Sequence, residues 1–369
     1  MIALTEISKK RKKINFKDNK IGWLFALPAV ILLLFFTVLP IALSLTLGFT
    51  NAQLLETSNP KFVGTQNFKS LLGMSEFTLH ASRNADGSVA KDEHGKPVFP
   101  QVRSLTRPDS PYVHLRGMQE IYRFGENDKS GTVHVILARD PTFWRSMTNT
   151  LFFALVVVPL QGGLGLLLAL LVHQKLKGRN IFRTIYFIPT LTSMVVVSLL
   201  WQFLLQQNGM INRAIHLVIP GYINIDWLGN THTSMYAIIG LSIWQAVGYH
   251  MIIWLGGLQT IPEELYEAAR TDGANKWQEF RYVTWPGLRH TLVFVLITIT
   301  IAALGLFTQI NVLTQGGPLN STSTLVYQTF SRGYQEQQIG AASSISFIFF
   351  ILVLIISLLQ RILTRKADQ

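Results

Sequence analysis

Six long apolar runs alternate with polar segments along this chain of 369 residues. Each run is close to or longer than the roughly 20 residues that a helix needs to cross the hydrocarbon core of a bilayer. The pattern therefore predicts an all-α membrane protein with six transmembrane helices. The predicted spans cover residues 21–50, 147–173, 182–206, 233–259, 288–313 and 339–361.

Basic residues cluster beside the ends of three of these spans, and such clusters stay on the cytoplasmic side of a membrane. With six spans the three clusters fall on one side, so both termini are predicted to be cytoplasmic, with residues 1–20 as a basic N-terminal segment. The first run, 21–50, is too long for the apolar part of a signal peptide and is interpreted as a retained span. The clusters are Lys9–Lys13, then Lys175, Lys177, Arg179 and Arg183, and last Arg361, Arg365 and Lys366.

The region 51–145, between the first two spans, is polar and rich in Gly, Pro and Asp. The predicted orientation makes it extracytoplasmic, and its own basic residues do not contradict this, because loops longer than about 60 residues cross membranes largely regardless of charge. The runs Tyr112–Leu115 and Thr132–Ala138 have the composition of strands. A small, partly β subdomain inserted at about 74–138 is predicted, and residues 146–369 form the core domain.

Composition excludes several classes of protein. The chain is 49% hydrophobic and only 14% charged, with a mean hydropathy of +0.31, which is typical of multi-span membrane proteins. The net charge of +12 lies at the span ends, so it indicates membrane orientation and no nucleic-acid partner. The absence of cysteine excludes disulfides and thiol chemistry. No set of histidines and carboxylates has the spacing of a metal site, so no metal is expected.

The segment 260–287, between the fourth and fifth spans, is charged where its surroundings are apolar. Thr260 followed by Glu263 has the spacing of a capping box, and Gly273 predicts a left-handed stop before a second short helix that ends near Pro286. Ile261, Leu265, Ala268 and Ala269 fall on one helical face. Periodicity alone fits either an amphipathic loop on the bilayer surface or a hairpin that enters a groove of another protein.

Several motifs, in order along the chain, resemble one known family. EAARTDG (Glu267–Gly273), followed by thirteen residues that end at Pro286, resembles the EAA motif of the permease subunits of bacterial ABC importers. Three further motifs look like the carbohydrate-type permeases, relatives of the two membrane subunits of the maltose transporter. They are FVGTQNF (Phe62–Phe68), DPTFWRSMTNT (Asp140–Thr150) and TQGGPLNST (Thr314–Thr322).

The resemblance implies the type I ABC importer fold and a location in the bacterial inner membrane. It makes Glu267, Ala268, Ala269 and Gly273 the core of the contact with a partner ATPase, with two residues in support, Asp272 and Pro286. The implied partners are an ABC ATPase dimer, a second homologous permease, a solute-binding protein, the lipid bilayer and a sugar. The chain has no GxxxxGK[ST] motif, so ATP is expected to bind the partner, and this subunit is expected to be neither an enzyme nor a cofactor protein.

Polar and aromatic residues inside the spans are candidates for the sugar path, because a sugar needs hydrogen bonds and aromatic faces. The densest group lies in the fourth span, and two amides follow in the fifth; the candidates are Trp244, Gln245, Tyr249, Gln309 and Asn311. The resemblance puts Gln245 and Tyr249 at the substrate cavity of the maltose transporter. The asparagines that bind sugar in that transporter align here with Ala303, Gly305 and Leu306, which disfavours maltose itself and places much of the site on the second permease.

Other polar residues in the spans have plainer interpretations. Gln161 and Asn149 are expected to bond to neighbouring helices, and His250 to pack or to line a polar surface. Trp201 and Trp254, near span ends, are expected to be interface anchors.

Alternatives to a sugar importer stay open at this point. They are an ABC importer of a non-sugar solute, an ion-coupled carrier, a membrane enzyme and a scaffold subunit without a pore. No Asp, Glu or Lys lies in the six runs, and their arginines stand only within two residues of an end, which disfavours an ion-coupled carrier. The insertion at 74–138 is either a contact for the solute-binding protein or a tolerated loop.

Overall fold

The computed structural model describes residues 16–56, 59–84, 88–127, 131–174 and 177–365. Parts of the predicted basic clusters lie outside these residues, namely Lys9–Lys13, Lys175 and Lys366. Within the described residues, five helical stretches are long and apolar enough to cross a membrane, and one bent helix pair makes six spans. The prediction of an all-α, six-span core is confirmed.

Each span is built from one helix or from two consecutive helices. The first contains α1 (Phe16–Leu33) and α2 (Leu39–Leu47), joined by a π-helical turn at Leu34–Val38. The second is α5 (Pro141–His173) and the fourth is α9 (Ser234–Gln259). The fifth consists of α13 (Arg289–Leu304) and α14 (Thr308–Leu313), and the sixth is α16 (Ile339–Arg365).

The third span is not the continuous helix that the sequence predicts over 182–206. Helix α6 (Arg179–Leu191) and helix α7 (Met194–Leu204) meet at an angle of 98°. Thr192 and Ser193 between them have extended backbone, with ψ of 141° and 131°. Pro189 in the last turn of α6 cannot donate a backbone hydrogen bond, and this weakens the helix just before the bend.

Short helices connect the spans. The extracytoplasmic side of the predicted topology holds α3 (Gln66–Leu72), α8 (Met210–Val218) and α15 (Leu325–Phe330). The opposite side holds α10 (Glu263–Thr271), α11 (Lys276–Glu279) and α12 (Trp285–Gly287).

The main core lies where α5, α9 and α13 pack against one another. Its largest buried side chains include Phe153, Ile238, Met251, Trp254 and Ile299. The prediction that Trp254 anchors the bilayer interface is wrong. Its side chain is 1% exposed, and its indole Nε1 donates to the carbonyl of Gly162, 3.1 Å away on α5.

Small residues let these helices approach closely. A Cβ at Gly165 of α5 would stand 3.2 Å from the Cβ of His250, and one at Gly248 of α9 would overlap the carbonyl oxygen of Tyr186 on α6. The close packing of α5 against α9 therefore depends on Gly165. The α6–α9 crossing depends in the same way on Gly248.

A three-stranded antiparallel sheet, ordered β1-β3-β2, forms the inserted subdomain. Its strands are β1 (Met74–His80), β2 (Gln119–Asn127) and β3 (Thr132–Ala138), with α4 (Val102–Leu105) packed nearby. The predicted strand at Thr132–Ala138 is confirmed. The predicted strand at Tyr112–Leu115 is wrong: Val113–Leu115 is one turn of 3₁₀ helix, and it directs Leu115 into the small core beside Val133 and Val135.

Polar contacts join the ends of the spans that the predicted topology places on the extracytoplasmic side. Asp140 caps α5 by accepting from the backbone of Phe143 at 2.9 Å, and the same carboxylate pairs with Arg332. Asn149 donates to the carbonyls of Asn320 and Ser323 at 3.0 and 2.9 Å. Asn149 therefore has the structural role that the sequence predicts, but its hydrogen-bond partners lie in a loop and not in another span.

Candidate functional site

The charged segment between the fourth and fifth spans is a helical hairpin, called here the coupling hairpin (260–287). Helix α10 leads to a turn at Gly273, whose φ of +79° is the left-handed value that favours glycine. The predicted stop at Gly273 is confirmed. The second arm consists of α11, a π-helical turn at Phe280–Thr284, and α12.

The predicted capping box at Thr260 and Glu263 is wrong. The hydroxyl of Thr260 donates back to the carbonyl of Gly257 at 2.7 Å, and α10 begins after Pro262 without a side-chain cap. The capping box stands instead at the second arm. There Asn275 accepts from the backbone of Gln278 at 2.9 Å, and the backbone of Asn275 donates to the Gln278 side chain at 2.7 Å.

A buried carboxylate joins the two arms. Glu279 in α11 accepts from Nε of Arg270 in α10 at 3.0 Å and from Nζ of Lys276 at 2.9 Å, and its side chain is only 8% exposed. The Lys276 ammonium lowers the pKa of the Glu279 carboxyl, its burial acts in the opposite direction, and the Arg270 guanidinium lowers it further, so that the pKa lies below its ordinary value. Glu279 is therefore ionised at neutral pH and holds the hairpin closed.

Two further sets of contacts lie within the hairpin. The hydroxyls of Tyr266 and Thr284 lie 2.9 Å apart, with Thr284 buried. Phe280 stacks on Trp277 at 5.7 Å between ring centroids and lies 6.2 Å from Trp285. These three aromatic rings connect α11, at the start of the second arm, to α12, which precedes the fifth span.

The outer surface of the hairpin is uncovered. Glu267, Ala268, Asp272 and Gly273 are exposed, while Ala269 and Pro286 are half-buried. Leu265, on the face expected to be apolar, is 51% exposed. Among the described residues the Glu267 carboxylate has no ion-pair partner. The hairpin thus presents small, apolar and acidic side chains on a braced scaffold, which is a surface suited to contact with another protein.

Three of the five candidate path residues line one cleft of about 240 Å³ within the membrane domain. Gln245 and Tyr249 come from α9, and Gln309 comes from α14. Gln309 Nε2 donates to the hydroxyl of Ser242 at 3.4 Å. The hydroxyl of Thr190 donates to the backbone carbonyl of Gln245 at 2.8 Å. The Tyr249 side chain is 44% exposed, and its hydroxyl makes no hydrogen bond within the part of the chain that the structure describes.

The other two candidates lie elsewhere. Trp244 is not among the lining residues and stands over Trp201 instead, with 5.6 Å between ring centroids. Asn311, on α14 like Gln309, is not among the lining residues either. Trp201 is half-buried in this aromatic pair, and its expected role as an interface anchor stays a prediction.

Sequence reasoning did not find the hydroxyls of the cleft, which are Thr190, Ser242 and Thr298. Ser242 and Thr298 donate to backbone carbonyls of their own helices, at 2.7 Å to Ile238 and 3.0 Å to Phe294. Such local bonds are common for hydroxyls in helices and give no sequence signal. Ala303 and Leu306, where the resemblance placed sugar-binding asparagines, also line the cleft and make that wall apolar.

Gln161 and His250 form a buried polar pair at the edge of the same cleft. Gln161 Nε2 and His250 Nδ1 lie 2.8 Å apart, and Nδ1 is also 3.0 Å from the carbonyl of Ala246. The pair joins α5 to α9. Both expectations, a structural glutamine and a histidine that packs or lines a polar surface, agree with this geometry.

The chain belongs to the family described as binding-protein-dependent transport system inner membrane component, which matches residues 161–369. It is a membrane-spanning transport subunit of that class.

Three relatives illustrate the similarity of this chain to transport permease proteins of other organisms. The chain is 35% identical over 231 residues to a probable ABC transporter permease protein of Bacillus subtilis, covering 62% of this chain and 79% of that one. It is 34% identical over 238 residues to the lactose transport system permease protein of Rhizobium radiobacter, covering 63% and 79%. It is also 34% identical over 248 residues to the trehalose/maltose transport system permease protein of Thermococcus litoralis, covering 67% and 78%.

A solved structure has the same fold. It is a bacterial ABC transporter involved in the import of the acidic polysaccharide alginate, with a TM-score of 0.66 and 20% sequence identity. The likeness covers 96% of this chain and 99% of the other. The predicted ABC importer permease fold is confirmed.

Proposed function

We propose that this chain is the permease subunit of an ABC importer for a sugar, an oligosaccharide or related polyol, and that it forms half of the translocation pore. Membership of the transport family and relatives that carry lactose and trehalose or maltose support this proposal. ATP is hydrolysed by a separate ATPase dimer. A second, homologous permease completes the pore, and a solute-binding protein delivers the sugar.

The coupling hairpin is the observation that carries the proposal. A hairpin with an exposed surface and an internal ion pair can move as a rigid unit, and it can therefore transmit a movement of a bound partner to the membrane spans. The α10 residues Glu267 and Ala268 contact the ATPase, and Asp272 and Pro286 support the turn and the exit into the fifth span. When ATP closes the ATPase dimer, the hairpin moves the spans. The cleft then switches from opening toward the cytoplasm to opening toward the outside of the cell.

The cleft is the part of the sugar path that this subunit contributes. Gln245, Tyr249 and Gln309 supply amide and phenol groups that bond to sugar hydroxyls. Ala303 and Leu306 give the opposite wall no hydrogen-bonding side chain, so the second permease supplies the remaining polar contacts. Maltose itself is disfavoured by the same two positions.

The topology follows from the basic clusters. Both termini and the coupling hairpin face the cytoplasm, and the region 51–145 with its inserted subdomain faces the binding protein. Residues 146–369 form the core of the permease, with 21–50 as an additional span at its edge.

Purification of the tagged chain from its native membrane, followed by reconstitution in liposomes, tests the proposal. We expect an ATPase, a second permease and a binding protein to be required together for ATP-dependent uptake of a labelled sugar. Uptake that an ion gradient drives without ATP contradicts the ABC assignment. ATP-dependent uptake of a charged non-sugar solute, with no competition from sugars, contradicts the sugar assignment alone.

A further inference from the structure

The segment between the third and fourth spans is organised around one buried asparagine. Asn212 in α8 donates to the carbonyls of Gln207 and Ile225 at 2.9 and 2.8 Å. Its Oδ1 accepts from the hydroxyl of Tyr222 at 3.1 Å and from Nε1 of Trp227 at 3.0 Å. These bonds hold residues 206–227 together as a compact unit. The single amide group of Asn212 bonds to Gln207 at the start of the segment and to three residues near its end, and all of its hydrogen-bonding capacity is used in this way.

The outward side of α8 is an aliphatic face without a covering element in the described chain. Met210, Ala214, Leu217 and Val218 stand at positions i, i+4, i+7 and i+8, which is the spacing of one helical stripe. Met210 is 68% exposed, Leu217 88% and Val218 79%. Ile223, in the turn that follows, is 84% exposed.

The segment carries one cation and one anion, which lie apart in the sequence. Arg213 is the only fully charged residue of α8, whereas Asp226 lies eight residues beyond the end of that helix and accepts from the backbone of Gly229 at 2.9 Å. A cation beside an aliphatic stripe is the composition of helices that lie in the plane of a membrane surface, with the cation at the lipid phosphates.

The position of α8 fits the same partner. It begins six residues after Leu204, the last residue of α7, so it stands at the end of a membrane span. Phe203, in the last turn of α7, is 65% exposed, so exposed apolar surface continues from the span toward α8. A face that must bind and release a protein in every transport cycle needs polar contacts at its rim. This stripe is wholly aliphatic, and Arg213 is the one charged side chain of α8 beside it.

We propose that α8 and Ile223 form an interfacial anchor in the phospholipid surface. The aliphatic stripe lies at the boundary of headgroups and acyl chains, and Arg213 contacts the lipid phosphates. The proposed topology, which rests on the proposed function, places this anchor in the extracytoplasmic leaflet. The contact with lipid does not depend on transport, so the anchor and the importer assignment fail separately.

Spin labelling of the full chain tests this inference directly, because the sequence contains no cysteine and a single introduced one is the only label site. Leu217→Cys and Val218→Cys place a nitroxide on the stripe, and Met210→Cys and Ile223→Cys give independent positions. His216→Cys, on the polar side next to Leu217, is the matched control, and Asp92→Cys in the inserted subdomain is the aqueous reference.

Collisions with oxygen and with a water-soluble nickel chelate are measured in vesicles of phosphatidylethanolamine and phosphatidylglycerol. We expect the oxygen-to-nickel ratio at Leu217 and Val218 to exceed the ratio at His216 severalfold. High nickel accessibility at all stripe positions overturns the proposal. So does shielding from both reagents that appears only when the binding protein or the second permease is added, because the stripe is then a protein interface.

Discussion

Arg270 and Glu279 lie on opposite arms of the coupling hairpin, and Arg270 Nε donates to Glu279 Oε1 over 3.0 Å. Lys276 reaches the same carboxylate from the other side, at 2.9 Å. The two cations come from different arms of the hairpin, and one nearly buried anion satisfies both. The hairpin therefore behaves as one braced piece at neutral pH.

Replacing Glu279 by Gln leaves Arg270 and Lys276 without their anion and loosens the two arms. We expect ATP hydrolysis by the reconstituted complex to persist while sugar uptake per ATP falls. The ratio of uptake to hydrolysis is the measurement. Glu93→Gln, an exposed carboxylate of the inserted subdomain, serves as the control. An unchanged ratio in Glu279→Gln shows that the ion pair has no role in coupling.

The same ion pair predicts a dependence on pH. The folded-state pKa of Glu279 is lowered, so its contribution to stability is complete above the ordinary glutamate pKa of about 4.3 and is lost as pH falls through the lower folded value. Melting temperatures of the wild type and Glu279→Gln should differ at neutral pH and converge in acid. A difference that grows in acid contradicts the assignment.

Glu267 is an exposed acidic residue in the middle of α10, and reversal of its charge tests the proposed ATPase contact. We expect Glu267→Arg to lower ATP-driven uptake about tenfold or more, since misplaced charges in a protein interface cost several kcal/mol. Membrane insertion should stay normal because the residue is exposed. Glu336→Arg, an exposed carboxylate on the opposite side in the proposed topology, is the control. Wild-type uptake by Glu267→Arg counts against this contact.

Tyr249 offers the cleft a hydroxyl that no described residue uses. If the cleft is the sugar path as proposed, Tyr249→Phe removes one hydrogen bond to the sugar. Such a bond contributes about 0.5–1.5 kcal/mol, so we expect the apparent KM of uptake to rise about two- to tenfold. Tyr236 lies on the same helix, is 61% exposed and packs on Phe152, so Tyr236→Phe is the matched control. Equal effects of the two variants would remove Tyr249 from the path.

The sequence predicts most of the membrane architecture because an apolar run of sufficient length has few other structures available. Five spans appear as helical stretches close to the expected limits. The bend in the third span was missed because Thr192 and Ser193 interrupt hydrogen bonding without interrupting hydrophobicity. Gly273 was predicted because a left-handed turn has a strong residue preference.

Contacts between distant residues could not be read from local patterns. Trp254 stands near a span end, as an interface anchor would, but its partner Gly162 is 92 residues away. The hydroxyl of Thr260 could cap α10 or bond back to Gly257, and periodicity does not distinguish the two. Gln245 and Tyr249 share a helix, so their proximity was evident, whereas the approach of Gln309 depends on the packing of α14 against α9.

Two glycines of α9 provide a test of helix packing. A methyl group at Gly248 overlaps the carbonyl of Tyr186, whereas one at Gly240 meets nothing within 4 Å. We expect Gly248→Ala to destabilise the α6–α9 crossing by about 1–3 kcal/mol, as overpacking of a core does. Gly240→Ala should be neutral or slightly stabilising. Thermal unfolding of the purified complex in detergent measures both, and equal melting temperatures would contradict the close crossing.

The two ends of the inserted subdomain lie side by side, which makes its removal a clean experiment. Met74 pairs with Ala138 in the sheet, and the backbone of Arg139 donates to the carbonyl of Gly73 at 2.9 Å. Joining Gly73 to Arg139 therefore deletes 74–138 while the membrane core keeps its own contacts. On the hypothesis that the subdomain binds the solute-binding protein, stimulation of ATP hydrolysis by that protein falls while basal hydrolysis is kept. Unchanged stimulation identifies the insertion as a tolerated loop.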